Sequence, residues 1–309
     1  MTRERDSKAP GTGTRTRAVH GAGAPQPGGL NPPLQRSSTF AFESLEAMNA
    51  EQARGRDSAY YQRVAHPTVR HCERHLAELE GAEDALLFAS GMAAISAVLF
   101  SQLSAGDHVV ALDQSYGGTQ DALRWGAERF GWRVTFVDGR RPADWPAAFT
   151  PATRLLHVES PTNPMNLVVD LAAAAELAHS RGARLSVDNT FASPVGQKPL
   201  ALGADLVAYS ATKSIGGHSD LVAGAVTGSA ALTEPVWKVR KVFGAIAAPE
   251  VAALIERSLK TLPLRVAAQN ATALELARHL EARPGVLSVA YPGLESHPGH
   301  AVAARQMTL

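Results

Sequence analysis

The sequence predicts an α/β fold built on a mainly parallel sheet, and three observations carry that prediction. Short apolar runs alternate with segments of helical composition along most of the chain. Two of those runs, 185–188 and 205–209, end in residues that carry chemistry: an acid at Asp188, and the cluster Ser210, Ala211, Thr212 and Lys213. The chain has 309 residues, 45% apolar and 19% charged, enough to bury a large core.

Taken in order, residues 1–17 are basic and rich in Gly, Thr and Arg, which predicts a disordered arm. Two prolines make 31–42, NPPLQRSSTFAF, extended. Residues 43–53 have helical composition that ends before Gly55. Thr68 stands where it can cap a helix running to Glu80, with Val69, Leu76 and Leu79 on one face. Strands are expected at 82–89, 107–112, 132–137, 154–159, 185–188, 205–209 and 221–227, with helices after Met92, up to Phe130 and over 171–181. Residues 234–247 and 249–280 read as helices, the second interrupted at Pro263. Residues 286–291 open a second, α+β domain.

Composition excludes several classes. Lys and Arg number 30 against 29 Asp and Glu, so no nucleic-acid footprint is expected. No apolar run reaches the ~18 residues of a membrane span, and the N-terminus has no apolar core of a secretory signal. One cysteine, Cys72, allows no internal disulfide and suits the cytoplasm. His71, Cys72 and His75 share helical spacing, but with no fourth ligand nearby they read as an ordinary helix and no metal is expected.

In open α/β sheets ligands sit beyond the carboxyl ends of the strands, so Asp188 and the 210–213 cluster face one crevice. A carboxylate to keep a pyridinium nitrogen protonated, an amine to condense with an aldehyde and hydroxyls for a phosphate together suit pyridoxal 5′-phosphate (PLP). Alone, a lysine after a strand is ordinarily a solvated surface residue, and a lone Asp there is a cap or turn acid. Tyr209 and Lys213 also spell Y-x-x-x-K, the catalytic pair of short-chain dehydrogenases. That reading needs a G-x-G-x-x-G loop, and the chain has none.

SYGGT at 115–119, ESPTNP at 159–164, VDNTF at 187–191 and SATKSIGGHSD at 210–220 closely resemble the Cys/Met-metabolism (trans-sulfuration) family of PLP enzymes. Its members include cystathionine γ-synthases, cystathionine γ- and β-lyases, methionine γ-lyases and O-acetylhomoserine sulfhydrylases. The resemblance runs from about Thr16 to Arg305. It implies the fold-type I architecture, a seven-stranded sheet flanked by helices. Lys213, Tyr116 and Asp188 would be catalytic: Lys213 attaches to the cofactor and moves the proton, Tyr116 stacks on the pyridine face, and Asp188 holds the ring nitrogen. Ser90, Gly91, Met92, Ser210 and Thr212 would seat the phosphate, Asn163 would bond the phenolic oxygen, and Thr190 of VDNTF would complete the site. Tyr61 and Arg63 match the family's Y-x-R-x-x-N-P-T segment, which reaches a neighbouring subunit's phosphate; His66 stands where Asn is usual.

The activity so implied is β/γ-elimination or γ-replacement on a sulfur amino acid or O-acylhomoserine, as in cystathionine γ-synthase or γ-lyase. One alternative is cystathionine β-lyase. Another, of a different class, is a non-catalytic fragment that binds PLP or joins a full-length partner. By resemblance the domains are an N-terminal arm at 1–60, a PLP-binding domain at 61–257 and the start of a C-terminal domain at 258–309. The chain would stop before the family arginine that clamps the substrate carboxylate. The expected partners are a small amino-acid substrate and further copies of the chain, in a homodimer or homotetramer with shared sites, and neither nucleic acid nor membrane.

Overall fold

The structure is a computed structural model that describes residues 13–21, 29 and 31–308. Its strands are β1 (Asp84–Phe88), β2 (His108–Leu112), β3 (Arg133–Val137), β4 (Thr153–Glu159), β5 (Arg184–Asp188), β6 (Leu206–Tyr209) and β7 (Gly224–Gly228), in one sheet ordered β1-β7-β6-β5-β4-β2-β3. β7 runs antiparallel to both its neighbours, and the pairs from β6 through β3 are parallel. Parallel strands buried on both faces are apolar without alternation, which is why β2 reads HVVAL.

The helices are α1 (Thr14–His20), α2 (Leu45–Ala53), α3 (Pro67–Glu80), α4 (Gly91–Gln102), α5 (Gly117–Phe130), α6 (Leu171–Ser180), α7 (Ser193–Gly196), α8 (Ala230–Phe243), α9 (Pro249–Leu259), α10 (Leu262–Glu281) and α11 (His300–Gln306). They cover both faces. Ile95 and Leu99 of α4 and Leu123 of α5 pack on Val109, Ala111, Leu155 and Ala208. On the opposite face Leu76 and Leu79 of α3 and Ile255 and Leu259 of α9 share a core with Val110, Leu156 and Val187. Alternate residues of each strand therefore serve two cores.

Five local expectations change. Residues 14–17, expected disordered, belong to α1, whose Ala18 is fully buried; residues 1–12 of that arm lie outside the described residues. Thr68 does not cap α3. Pro67 opens the helix, and the Thr68 hydroxyl donates to Pro33 O (3.2 Å) and accepts from Gln35 N (3.0 Å), tying down the extended arm. β7 begins at Gly224 instead of Leu221, because Ala223 is bonded to Thr212, its N–H to the hydroxyl (3.0 Å) and its carbonyl to the Thr212 N–H (3.2 Å). Residues 286–291 are irregular, with Leu287 fully exposed. The break near Pro263 falls at Lys260 and Thr261, and the proline sits in the first turn of α10, where its missing N–H is not needed.

One buried ion pair fastens α1 and α9 to α3. His75 Nδ1 lies 2.9 Å from both carboxylate oxygens of Glu256, and its Nε2 is 3.0 Å from Arg17 O, so each ring nitrogen meets an acceptor. Burial alone would push the Glu256 carboxyl up, but the hydrogen bonds and charges of His71 and His75 outweigh it and carry it down to about 2. A folded pKa below the unfolded one stabilises above the ordinary carboxylate range, and this contribution fades as pH falls toward 2. Glu256→Gln should cost about 3 kcal/mol in urea unfolding at pH 7, as breaking a buried pair does, and should narrow the gap to wild type at pH 3. An equal loss at both pH values would contradict this account.

Candidate active site

The carboxyl ends of β2, β4, β5 and β6 lie along one edge of the sheet. From β2 the chain crosses through α5 to β3 on one side, and from β4 through α6 to β5 on the other. Between two neighbouring strands whose connections diverge, a crevice opens. A cavity of about 250 Å³ lies there.

Each strand end contributes to its wall. Ser90, Gly91 and Met92, from the turn into α4, form one side. The Ser90 hydroxyl accepts Ala93 N (3.1 Å), while Gly91 and Met92 begin the helix, where N–H groups have no intrahelical acceptor and the dipole is positive. Gly91 is required by close approach: a Cβ would stand 2.7 Å from Ser210 Cβ. Tyr116 enters after β2, half-exposed, with its ring on the cavity. Asn163 enters after β4, Asp188 and Thr190 after β5, and Ser210, Thr212 and Lys213 after β6.

Lys213 is exposed, in a turn closed by its own N–H to Ser210 O (3.1 Å) and by Gly217 N to its carbonyl (2.7 Å). Arg265 of α10 steadies that turn, donating Nη1 to Ser214 O at 2.6 Å. The Thr212 hydroxyl is committed to Ala223, donating to its carbonyl (3.1 Å) and accepting its N–H (3.0 Å). Thr190 works through a neighbour as well. Its hydroxyl donates to Asp188 Oδ1 (2.6 Å) and accepts Ser210 N (2.7 Å), which bridges the ends of β5 and β6.

Asp188 is 5% exposed; burial pushes its carboxyl up, and the bonds from Thr190 only partly offset this. A cation placed beside it would hold it ionised. Tyr209 of the Y-x-x-x-K pair is turned away, buried in the opposite core, donating to Glu80 Oε2 (2.5 Å) and accepting Asn189 Nδ2 (3.1 Å). That geometry removes the dehydrogenase reading a second time.

Two expected residues are not in the cavity wall. Arg63 donates Nη1 to Lys241 O (2.8 Å), and its guanidinium lies 5.2 Å above the Tyr61 ring. Four residues not singled out from sequence do line it: Ile95, Glu159, Phe191 and Val222. Glu159 was legible as the acid of ESPTNP, one strand position from the residue pairing with Val187. Val222 and Phe191 carry no polar signal that marks them as wall residues.

An anion seat at a helix start, an aromatic ring, a buried carboxylate and an amine around one small cavity fit the phosphate, ring, ring nitrogen and aldehyde of PLP. Comparison with known proteins agrees. Residues 15–309 match the model of the Cys/Met metabolism PLP-dependent enzyme family. Cystathionine gamma-synthase of Mycobacterium tuberculosis is 43% identical over 304 residues, covering 96% of this chain and 75% of that protein. L-methionine gamma-lyase of Pseudomonas putida is 41% identical over 300 residues, with the same 96% and 75% coverage. The crystal structure of metB from Corynebacterium glutamicum superposes with a TM-score of 0.90 at 39% identity, over 96% of this chain and 76% of that one. With the motifs, the sheet and the cavity in agreement, the chain belongs to the Cys/Met metabolism family of PLP-dependent enzymes.

Proposed function

We propose that the cavity binds PLP and that the chain serves trans-sulfuration chemistry, β/γ-elimination or γ-replacement on a sulfur amino acid or an O-acylhomoserine. The convergence of Ser90, Tyr116, Asp188 and Lys213 on one cavity carries this reading, and the names of the relatives support the substrate class. The single buried cysteine suits the cytoplasm as its compartment.

When bound, PLP supplies an aldehyde that captures amines and a protonated ring that withdraws electrons from the substrate Cα. The chain's residues do the rest. The backbone N–H groups of Gly91 and Met92 would hold the phosphate, together with the Ser210 hydroxyl. Asp188, its orientation fixed by Thr190, would hold the proton on the ring nitrogen. Tyr116 would cover a ring face and Asn163 would bond a ring oxygen. Lys213 Nζ would be the group that condenses with the aldehyde and the base placed to take a proton from the substrate Cα.

Tyr61 and Arg63 are proposed to complete the phosphate site of a neighbouring subunit, in a homodimer or homotetramer. Their position outside the cavity of their own chain supports this. So do Val242 and Phe243, exposed large apolar residues that follow Lys241, the residue whose carbonyl holds Arg63.

Two outcomes test the reading. In D2O with PLP, the wild-type chain should exchange the Cα hydrogen of methionine, and Asp188→Asn should slow this by about 100-fold or more while PLP still binds. No exchange by the wild type, or equal exchange by the variant, would overturn the assignment. Mixed oligomers of Lys213→Ala and Arg63→Ala chains should regain part of the exchange that each lacks alone, because one site of the pair is then intact. No recovery after verified subunit mixing would count against the shared site.

A further inference from the structure

Glu159 ends β4 beside the crevice, is 4% exposed and lines the cavity. Its two carboxylate oxygens take different partners: Oε2 accepts the backbone N–H of Tyr116 (2.6 Å), and Oε1 that of Asn163 (2.7 Å). Those two donors stand on the loops that follow β2 and β4, the strands between which the sheet divides. Glu159 also pairs in register with Asp188, and among the described residues no Lys, Arg or His lies within ion-pair distance of either carboxylate. A buried carboxylate with two short N–H donors and no cation is an expensive arrangement, and nothing in the packing of the sheet alone calls for it.

We propose that Glu159 is a positioning residue of the cofactor site, a clasp that holds the Tyr116 and Asn163 loops together across the crevice and sets a second negative charge beside Asp188. It acts through those three residues. The proposal rests on the reading of the cavity as the PLP site.

Few titratable groups share the cavity wall with Glu159. Asp188 comes from β5, Lys213 from the turn after β6 and Tyr116 from the loop after β2; the α4 side offers Ser90, Gly91 and Met92, which carry no charge. His157 lies two residues back on the same strand, its Nδ1 3.3 Å from Ser186 Oγ, and burial holds it down to about 4, so it stays neutral above pH 5. Burial and then the Asp188 charge push the Glu159 carboxyl upward, against the pull of the two N–H donors. The pair therefore gives up its last proton later than either carboxyl would alone. A ring that arrives as a cation is favoured once that proton is gone.

The test compares PLP affinity of the wild type and of the near-isosteric Glu159→Gln from pH 6 to 9, by absorbance titration. Both faults of the variant should be visible: affinity falls by tenfold or more at pH 9, where the clasp is charged in the wild type, and the inflection of affinity against pH moves down by a unit or more. A merely structural role would weaken binding by the same factor at every pH, and that result, or affinities within twofold throughout, would overturn the proposal. Hydrogen exchange of the cofactor-free wild type gives a second reading that needs no variant. Protection of the peptides holding Tyr116 and Asn163 should fall, relative to the rest of the sheet, as pH is lowered from 9 to 6; constant relative protection would overturn the clasp. A wild type that keeps this exchange pattern but binds no PLP would instead overturn the reading of the cavity.

Discussion

Two carboxylates buried at adjacent strand ends set the terms for the rest of the molecule. Glu159 and Asp188 sit side by side in the β4–β5 register, each nearly out of reach of water. A buried carboxylate is tolerable only when hydrogen-bond donors surround it. Here those donors are backbone N–H groups of Tyr116, Asn163 and Thr190, together with the Thr190 hydroxyl. The cost of burying the acids is thereby met by fixing the loops that surround the cavity. What remains unsatisfied is negative charge without a cation, which a protonated pyridine ring is suited to complete.

The cavity depends equally on what is fastened behind it. The segment that carries Tyr61 and Arg63 is held from both ends. Ahead of it, Arg56 bonds Asp84 at the start of β1 and Thr233 of α8. Behind it, Arg70 bonds Asp84 (2.6 Å) and Asp57 (2.7 Å), and Trp237 Nε1 donates to Val64 O at 2.9 Å. Arg240 of α8 closes the group on Glu73 at 2.5 Å. Buried, multiply bonded pairs of this kind specify an arrangement more than they stabilise it. Here the arrangement leaves Tyr61 and Arg63 exposed, with Arg63 held on the Lys241 carbonyl.

Much of this was legible in the sequence. The seven strands follow from apolar runs bounded by turn residues, because a sheet covered on both faces leaves little freedom of composition. Asp188 and Lys213 could be placed because each ends a strand, and the strands of a parallel sheet point their ends one way. The errors have local causes. The helix at 14–20 draws its stability from the His75 ring and the surrounding core, which composition does not reveal. Thr68 looked like a cap because its partner, the Pro33 carbonyl, is 35 residues away. Thr212 reads as a phosphate ligand, yet its hydroxyl is spent on Ala223, and the Thr190 hydroxyl is spent on Asp188 and Ser210. Glu159 stood inside a recognised motif, but only the folded register brings it beside Asp188.

The central claim is that the strand ends converge on a site whose amine is Lys213. Reduction with borohydride in the presence of PLP, followed by peptide mass spectrometry, measures this directly. The account predicts one stoichiometric label, on Lys213. The sharpest rival is Lys198, a partly buried lysine whose burial lowers its amine toward reactivity, though its Nζ is held by the carbonyls of Leu79 and Glu80. A label on Lys198, on any other lysine, or on none would contradict the account.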